Sequence, residues 1–174
     1  MRLLKNMKKR DKRFHFSTIV FVLLFAIFGN SVFVHLWSKS DVGSRHFFES
    51  DYDQMKTVAE YLISLDHLSD ILIENPSGVM TVGIRKTETI TDPKIRKAIF
   101  VLFAKGYDCI EKNKGKTIVF ERWYDLFERY RGYAFSIDGS TEPAIEFVTE
   151  TKDMTKENWY YYLSDYNEWR SSKQ

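Results

Sequence analysis

Nucleophile-and-base chemistry ordinarily needs a histidine beside a hydroxyl or thiol. The chain has four, His15, His35, His46 and His67, and none falls in a spacing that makes a triad. Its one cysteine, Cys109, can form neither an internal disulfide nor a structural zinc site, and in an alternating apolar run it reads as a small buried hydrophobe. Asp51 and Asp53 start like a calcium loop but lack the remaining ligands. The carboxylate pairs Glu142 with Glu146 and Asp165 with Glu168 could in principle do acid–base work, but a solvated strand edge explains them better. Glycines stand singly at turns and strand ends, so no phosphate-cradling loop is formed. These residues therefore predict no catalytic set, no metal and no cofactor.

Aromatic density is the other chemical signal. All ten tyrosines and three of the four tryptophans lie beyond residue 37, concentrated at 123–133 and 159–169. In a strand through Trp159-Tyr160-Tyr161-Tyr162, Tyr160 and Tyr162 face one side, Trp159 and Tyr161 the other. One set is expected in the core and the other partly exposed. Trp123, Tyr160, Tyr162 and Trp169, with Arg122, Arg131 and Arg170, form the candidate partner-binding set, since aromatics and Arg dominate interfaces. Cross-strand packing is the competing explanation for each of them.

The elements that must position these side chains can be read from periodicity. Ser50 is an expected N-cap, followed by Met55, Val58, Ala59, Leu62 and Ile63 on one helical face. Asp92-Pro93 starts a second helix with Ile95, Ala98, Ile99, Leu102 and Phe103 on its apolar face and Gly106 as its stop. Strands are predicted at 71–73 and 80–84 around the turn Asn75-Pro76-Ser77-Gly78, and at 107–111 and 117–123 around Asn113-Lys114-Gly115. Further strands are predicted at 133–137, 145–147 and 159–163, with a connection at 124–131 and a polar loop at 152–158. Helix, strand, turn, strand thus occurs twice without residue-level identity. The expected class is α+β, about two helices packed on a largely antiparallel sheet.

Location follows from the start of the chain. Residues 17–37 are 21 residues without an acid, Lys or Arg, and as a helix they would reach roughly 30 Å, the thickness of a bilayer core. The leader 1–15 holds seven of the 26 basic residues and one of the 24 acids, which leaves the remainder at net −4. Basic flanks stay cytoplasmic, so the expectation is a transmembrane helix at 16–37, a juxtamembrane linker at 38–49 and an extracytoplasmic domain at 50–174. The basic total is thus a topology signal and no nucleic-acid footprint. A cleaved secretory signal is the rival, with 16–28 as apolar core and Gly29-Asn30-Ser31 as cleavage region, but apolar residues resume at Val32 and end on Trp37. A buried helix of a soluble domain would need a polar face that the span lacks.

The strings Gly106-Tyr107, Phe120-Glu121-Arg122-Trp123, Arg131-Gly132-Tyr133-Ala134-Phe135-Ser136-Ile137-Asp138-Gly139 and Trp159-Tyr160-Tyr161-Tyr162, ending in Asp165-Tyr166-Asn167-Glu168-Trp169-Arg170, resemble a family of small uncharacterised bacterial proteins. Those are tethered by one N-terminal hydrophobic segment, and the resemblance implies that location without an activity. An outward domain without a disulfide also suits a bacterial surface. Three functions remain open on these residues. The first is a single-pass protein in the lipid bilayer whose outward domain binds a protein, peptide or glycan, or senses. The second is a small envelope enzyme working through carboxylates or tyrosines. The third is a secreted protein. A cleft with convergent, shifted acids would favour the enzyme; a flat aromatic and Arg surface would favour binding.

Overall fold

The computed structural model describes residues 41–124, 129–139 and 145–172, with Arg45–Gln174 as one compact unit. Among the described residues no helix is long and apolar enough to cross a membrane; the expected span at 16–37 lies outside them.

Among the described residues three helices accompany an eight-stranded, wholly antiparallel sheet. In chain order they are α1 (Asp41–Ser64), β1 (Ile71–Ile73), β2 (Val79–Val82), β3 (Lys86–Thr89), α2 (Pro93–Ala104), β4 (Cys109–Asn113), β5 (Thr117–Tyr124), β6 (Arg129–Ser136), β7 (Val148–Asp153), β8 (Trp159–Asp165) and α3 (Tyr166–Ser172). The strands lie side by side as β3-β2-β1-β4-β5-β6-β8-β7. The α+β class and the antiparallel pairing stand as expected.

Helix α2 forms as its sequence dictates. Pro93 occupies the first turn, where its missing N–H costs nothing, and Asp92 Oδ1 accepts from the backbone N–H of Lys94 at 2.7 Å and of Ile95 at 3.4 Å. Gly106, at φ +89°, turns the chain out of the helix. Ile95, Ala98, Ile99 and Leu102 are buried.

Helix α1 departs from expectation. It is already helical at Asp41, so the linker expected at 38–49 is helix from that residue on, and Ser50 is an interior residue and no N-cap. The reason is packing. Phe48 extends the Met55, Ala59 and Leu62 face backwards by two turns and is fully buried, its ring 5.4 Å from that of Tyr133 and 5.6 Å from that of Trp159. Burial of that ring outweighs the local capping signal.

Both helices lie on one face of the sheet, over Ile71, Ile73, Met80, Ile110, Ile118, Phe120, Tyr133, Trp159 and Tyr161. Lys112 shares this face, is 2 % exposed, and donates from Nζ to Leu62 O at 3.0 Å and Leu65 O at 2.7 Å. It thereby closes the carbonyl end of α1 with a cation, and burial pulls its pKa down.

The strand predictions need four corrections, the first being that Tyr124 and residues 129–131, expected in a connection, belong to β5 and β6. Ile84 sits in the β2–β3 turn and is 94 % exposed, because β2 ends at Val82 and the polar edge strand β3 follows. The expected return strand at 145–147 is irregular, with Phe147 at φ +58°. The true strand is β7, which takes in part of the expected polar loop and pairs with β8 as an edge strand, where alternating charged residues face water.

Candidate functional site

The sheet face that α1 and α2 leave uncovered carries Cys109, Glu111, Val119, Glu121, Gly132, Ala134, Tyr160, Tyr162 and Ser164. Register fixes their layout. Cys109 pairs with Glu121, Glu121 with Gly132 and Gly132 with Tyr162; Glu111 pairs with Val119, Val119 with Ala134 and Ala134 with Tyr160. Glu111 and Glu121 are therefore diagonal neighbours on adjacent strands, on the order of 7–8 Å apart at Cα. The third strand of the group, β6, presents Gly132 and Ala134 to this face between Tyr130 and Ser136, so the middle of the sheet is bare there.

Gly132 is required for a second reason. A Cβ built on it would lie 2.0 Å from Phe120 O, 2.9 Å from Phe120 C and 3.0 Å from Glu121 Cα, all backbone atoms of β5. The close approach accompanies a β-bulge, since the β5–β6 register slips between Glu121 and Trp123 and Arg122 is the extra residue. Alternation along β5 puts Arg122 with Ile118 and Phe120 on the helix-covered face and Glu121 with Val119 on the other.

The result is a hollow of about 360 Å³ lined by residues including Glu111, Glu121, Tyr130, Phe147 and Tyr162. That size suits a small molecule. The Tyr162 ring packs on Val119 and Ala134 and is 1 % exposed. Burial first, and then the charges of Glu121, Cys109 and Glu111, push the Tyr162 pKa well above the usual phenol range, so the hydroxyl stays a neutral donor. Among the described residues it has no hydrogen-bond partner.

The two glutamates are half-buried, and among the described residues neither meets a Lys or Arg. Burial, helped by Asp108 and Glu111, pushes Glu121 up to about 7. Burial raises Glu111 too, with Asp70 and Glu146 adding to it. Beside them, the Cys109 thiol is held well above its ordinary range by burial and by the surrounding acids, which makes it a poor nucleophile. Among the described residues no group of three His, Cys, Asp or Glu is arranged to hold a metal ion.

The residues expected to bind a partner are dispersed. Of the seven, among those whose side chains are described, Tyr162 alone lines this hollow. Tyr160 is 7 % exposed, so both sides of the aromatic strand are buried, one under the helices and the other on the open face. Arg122 is turned inward: Nη1 meets Asp51 Oδ2 at 2.7 Å, and its guanidinium lies 4.2 Å from the centroid of the Phe47 ring. Arg131 is 1 % exposed and hydrogen-bonds the Tyr161 side chain. Trp123 belongs to β5, with its side chain outside what is described. Trp169 is half-buried on α3, 5.1 Å from the Phe147 ring and stacked on Tyr166, and Arg170 beside it is exposed.

Of the carboxylate pairs weighed in the sequence, Glu146 reaches the hollow while Glu142 lies outside the described residues. Asp165 Oδ1 accepts from the Glu168 N–H at 3.0 Å, an ordinary cap on α3. Sequence reasoning missed Glu111 and Glu121. The signal was present: they alternate with Ile110 and Phe120 in a hairpin whose turn was read correctly, so both had to face away from the core.

Comparison of the chain with family models, with curated proteins and with solved structures gives no match in any of the three. The hollow therefore stands on its geometry alone.

Proposed function

We propose that the chain is a single-pass membrane-anchored protein, N-terminus cytoplasmic, whose outward α+β domain binds or senses a small ligand in the hollow on the open face of its sheet. The anchor is supported by the uncharged 17–37 stretch and the basic leader before it, and a tethered domain is what the likeness to small bacterial proteins implies. Binding is supported by one observation above the rest. The hollow brings together a phenol hydroxyl and two half-buried carboxylates for which the described residues supply no hydrogen-bond partner, a few convergent polar groups on a partly apolar wall, as in sites that orient a small ligand.

A second reading, acid–base catalysis by an envelope enzyme, has Glu121 in its favour, because a carboxyl group titrating at about 7 can give or take a proton near neutrality. Binding is preferred because the nearest thiol is held protonated and the remaining lining groups orient no nucleophile.

Two experiments test the proposal. In a Cys109→Ala background, Lys39→Cys and Lys173→Cys should both be modified by an impermeant reagent on intact cells; protection of both reverses the orientation, and full-length protein that stays in buffer without detergent removes the anchor. Small-fragment titration of the full chain in nonionic micelles, followed by NMR, should shift signals of Glu111, Glu121 and Tyr162 together. Fragments that cluster elsewhere on the domain would overturn the site.

A further inference from the structure

We propose that the ligand of this hollow is a small organic cation, an ammonium group carried on an apolar or aromatic body. The inference rests on the binding reading above and adds the charge class of what is bound.

Electrostatics set the sign. Glu111, Glu121 and Glu146 reach the hollow from β4, β5 and the turn before β7, and among the described residues no Lys or Arg lines it. An anion would meet like charge on every side, and a neutral ligand would leave both carboxylates desolvated and unpaired. An ammonium group satisfies them and can in addition be met by the hydroxyl oxygen of Tyr162, a side chain 1 % exposed that lines the hollow with the acids and has no hydrogen-bond partner among the described residues. Shape sets the body. Val119 and Ile145 supply apolar wall, while Tyr130 and Phe147 supply rings, the surfaces on which organic cations rest. A bare divalent ion would need three or more clustered ligands, an arrangement that the described residues do not make.

The same layout makes binding pH-dependent. Glu121 is faced by Asp108, Cys109 and Glu111 from the β4 side, by Tyr162 from β8, by Tyr130 from β6 and by Glu146 from the turn before β7, all acidic or neutral groups. Nothing among them holds its carboxylate ionised, so an ammonium ligand must take that part and competes with a proton for the site.

The test uses three matched probes, benzylamine, benzyl alcohol and benzoate, added to full-length protein in nonionic micelles at pH 8 and followed by calorimetry and by NMR signals of Glu121 and Tyr162. Benzylamine should bind at one site, benzyl alcohol at least about tenfold more weakly and benzoate more weakly still. Glu121→Gln and Glu111→Gln should each weaken benzylamine about tenfold and leave benzyl alcohol unchanged, and wild-type affinity for benzylamine should fall between pH 8 and pH 5.5. Benzyl alcohol or benzoate binding the hollow as tightly as benzylamine overturns the cation while the hollow stands as a binding site. Failure of all three probes to move either signal overturns both.

Discussion

Arg122 Nη1 lies 2.7 Å from Asp51 Oδ2, in a pair whose carboxylate side chain is 1 % exposed and whose guanidinium side chain is 10 % exposed. The other oxygen, Asp51 Oδ1, accepts from Lys105 Nζ at 2.6 Å and lies 2.7 Å from Ser50 Oγ, while the Tyr107 hydroxyl donates to Oδ2 at 2.9 Å. One acid thus joins α1, the end of α2, the entry to β4 and the bulge of β5. An arginine that the sequence offers to a partner is spent inside the domain.

Removing one member of that cluster should cost more than removing two. Asp51→Leu leaves Arg122 and Lys105 facing an apolar group, an uncompensated burial worth about 3–5 kcal/mol. Asp51→Leu combined with Arg122→Met should recover at least about 1 kcal/mol of the loss. Urea unfolding midpoints of the two variants and wild type, at unchanged m-value, check this. Strict additivity would mean that the pair is solvated.

Helix α2 makes a cleaner case, because its cap and its apolar face are separable. Asp92→Ala removes the acceptor of two backbone N–H groups and should cost about 1 kcal/mol. Leu102, fully buried, becomes an unpaired buried charge in Leu102→Asp, which should abolish cooperative melting. Thermal scans by circular dichroism separate the two outcomes, and an unchanged scan for Leu102→Asp would take that face out of the core.

How far the sequence could be read depended on whether local or distant contacts decide. Helix α2 and the 109–124 hairpin were legible because Asp92, Pro93, Gly106 and Gly115 act within a few residues of themselves. The start of α1 was not, because Phe48 earns its place from Tyr133 and Trp159, far along the chain. Edge strands β3 and β7 were hidden by polar alternation that reads as loop. The site was hidden for a related reason. Its acids come from one hairpin, but the hollow exists because Gly132 and Ala134 on a third strand carry almost no side chain, which register alone brings into line.

Gly132 is the position where the fold and the hollow can be broken together. Its substitution by Ala drives a methyl group into the Phe120 carbonyl and the Glu121 Cα, backbone atoms that cannot swing aside. Gly132→Ala should destabilise the domain by more than about 2 kcal/mol. The check is its melting temperature against that of Ala134→Gly, where only a small side chain is lost. A harmless Gly132→Ala would mean that β5 has room to shift and that the bulge at Arg122 is not fixed.

Glu121 links the hollow to pH. Its folded pKa of about 7 lies above the ordinary 4.5, so between those values the folded protein holds a proton that the unfolded chain has released. The stability this contributes is complete below about pH 4.5, falls as pH rises and is gone above about pH 7. Glu111 and Asp108, also raised by burial, add slopes of the same sign. Glu121→Gln should therefore match wild type near pH 4 and exceed it by roughly 1–3 kcal/mol at pH 8, the range allowing for a half-buried carboxyl group that water partly screens. Urea midpoints across pH 4–8 measure the difference. Saturating benzylamine at pH 8 should narrow it by about 1.4 kcal/mol, because wild type binds the ligand about tenfold more tightly. Parallel curves for the two proteins would mean that the Glu121 carboxyl titrates as it does in water, leaving the hollow too wet to select an ammonium ligand by charge.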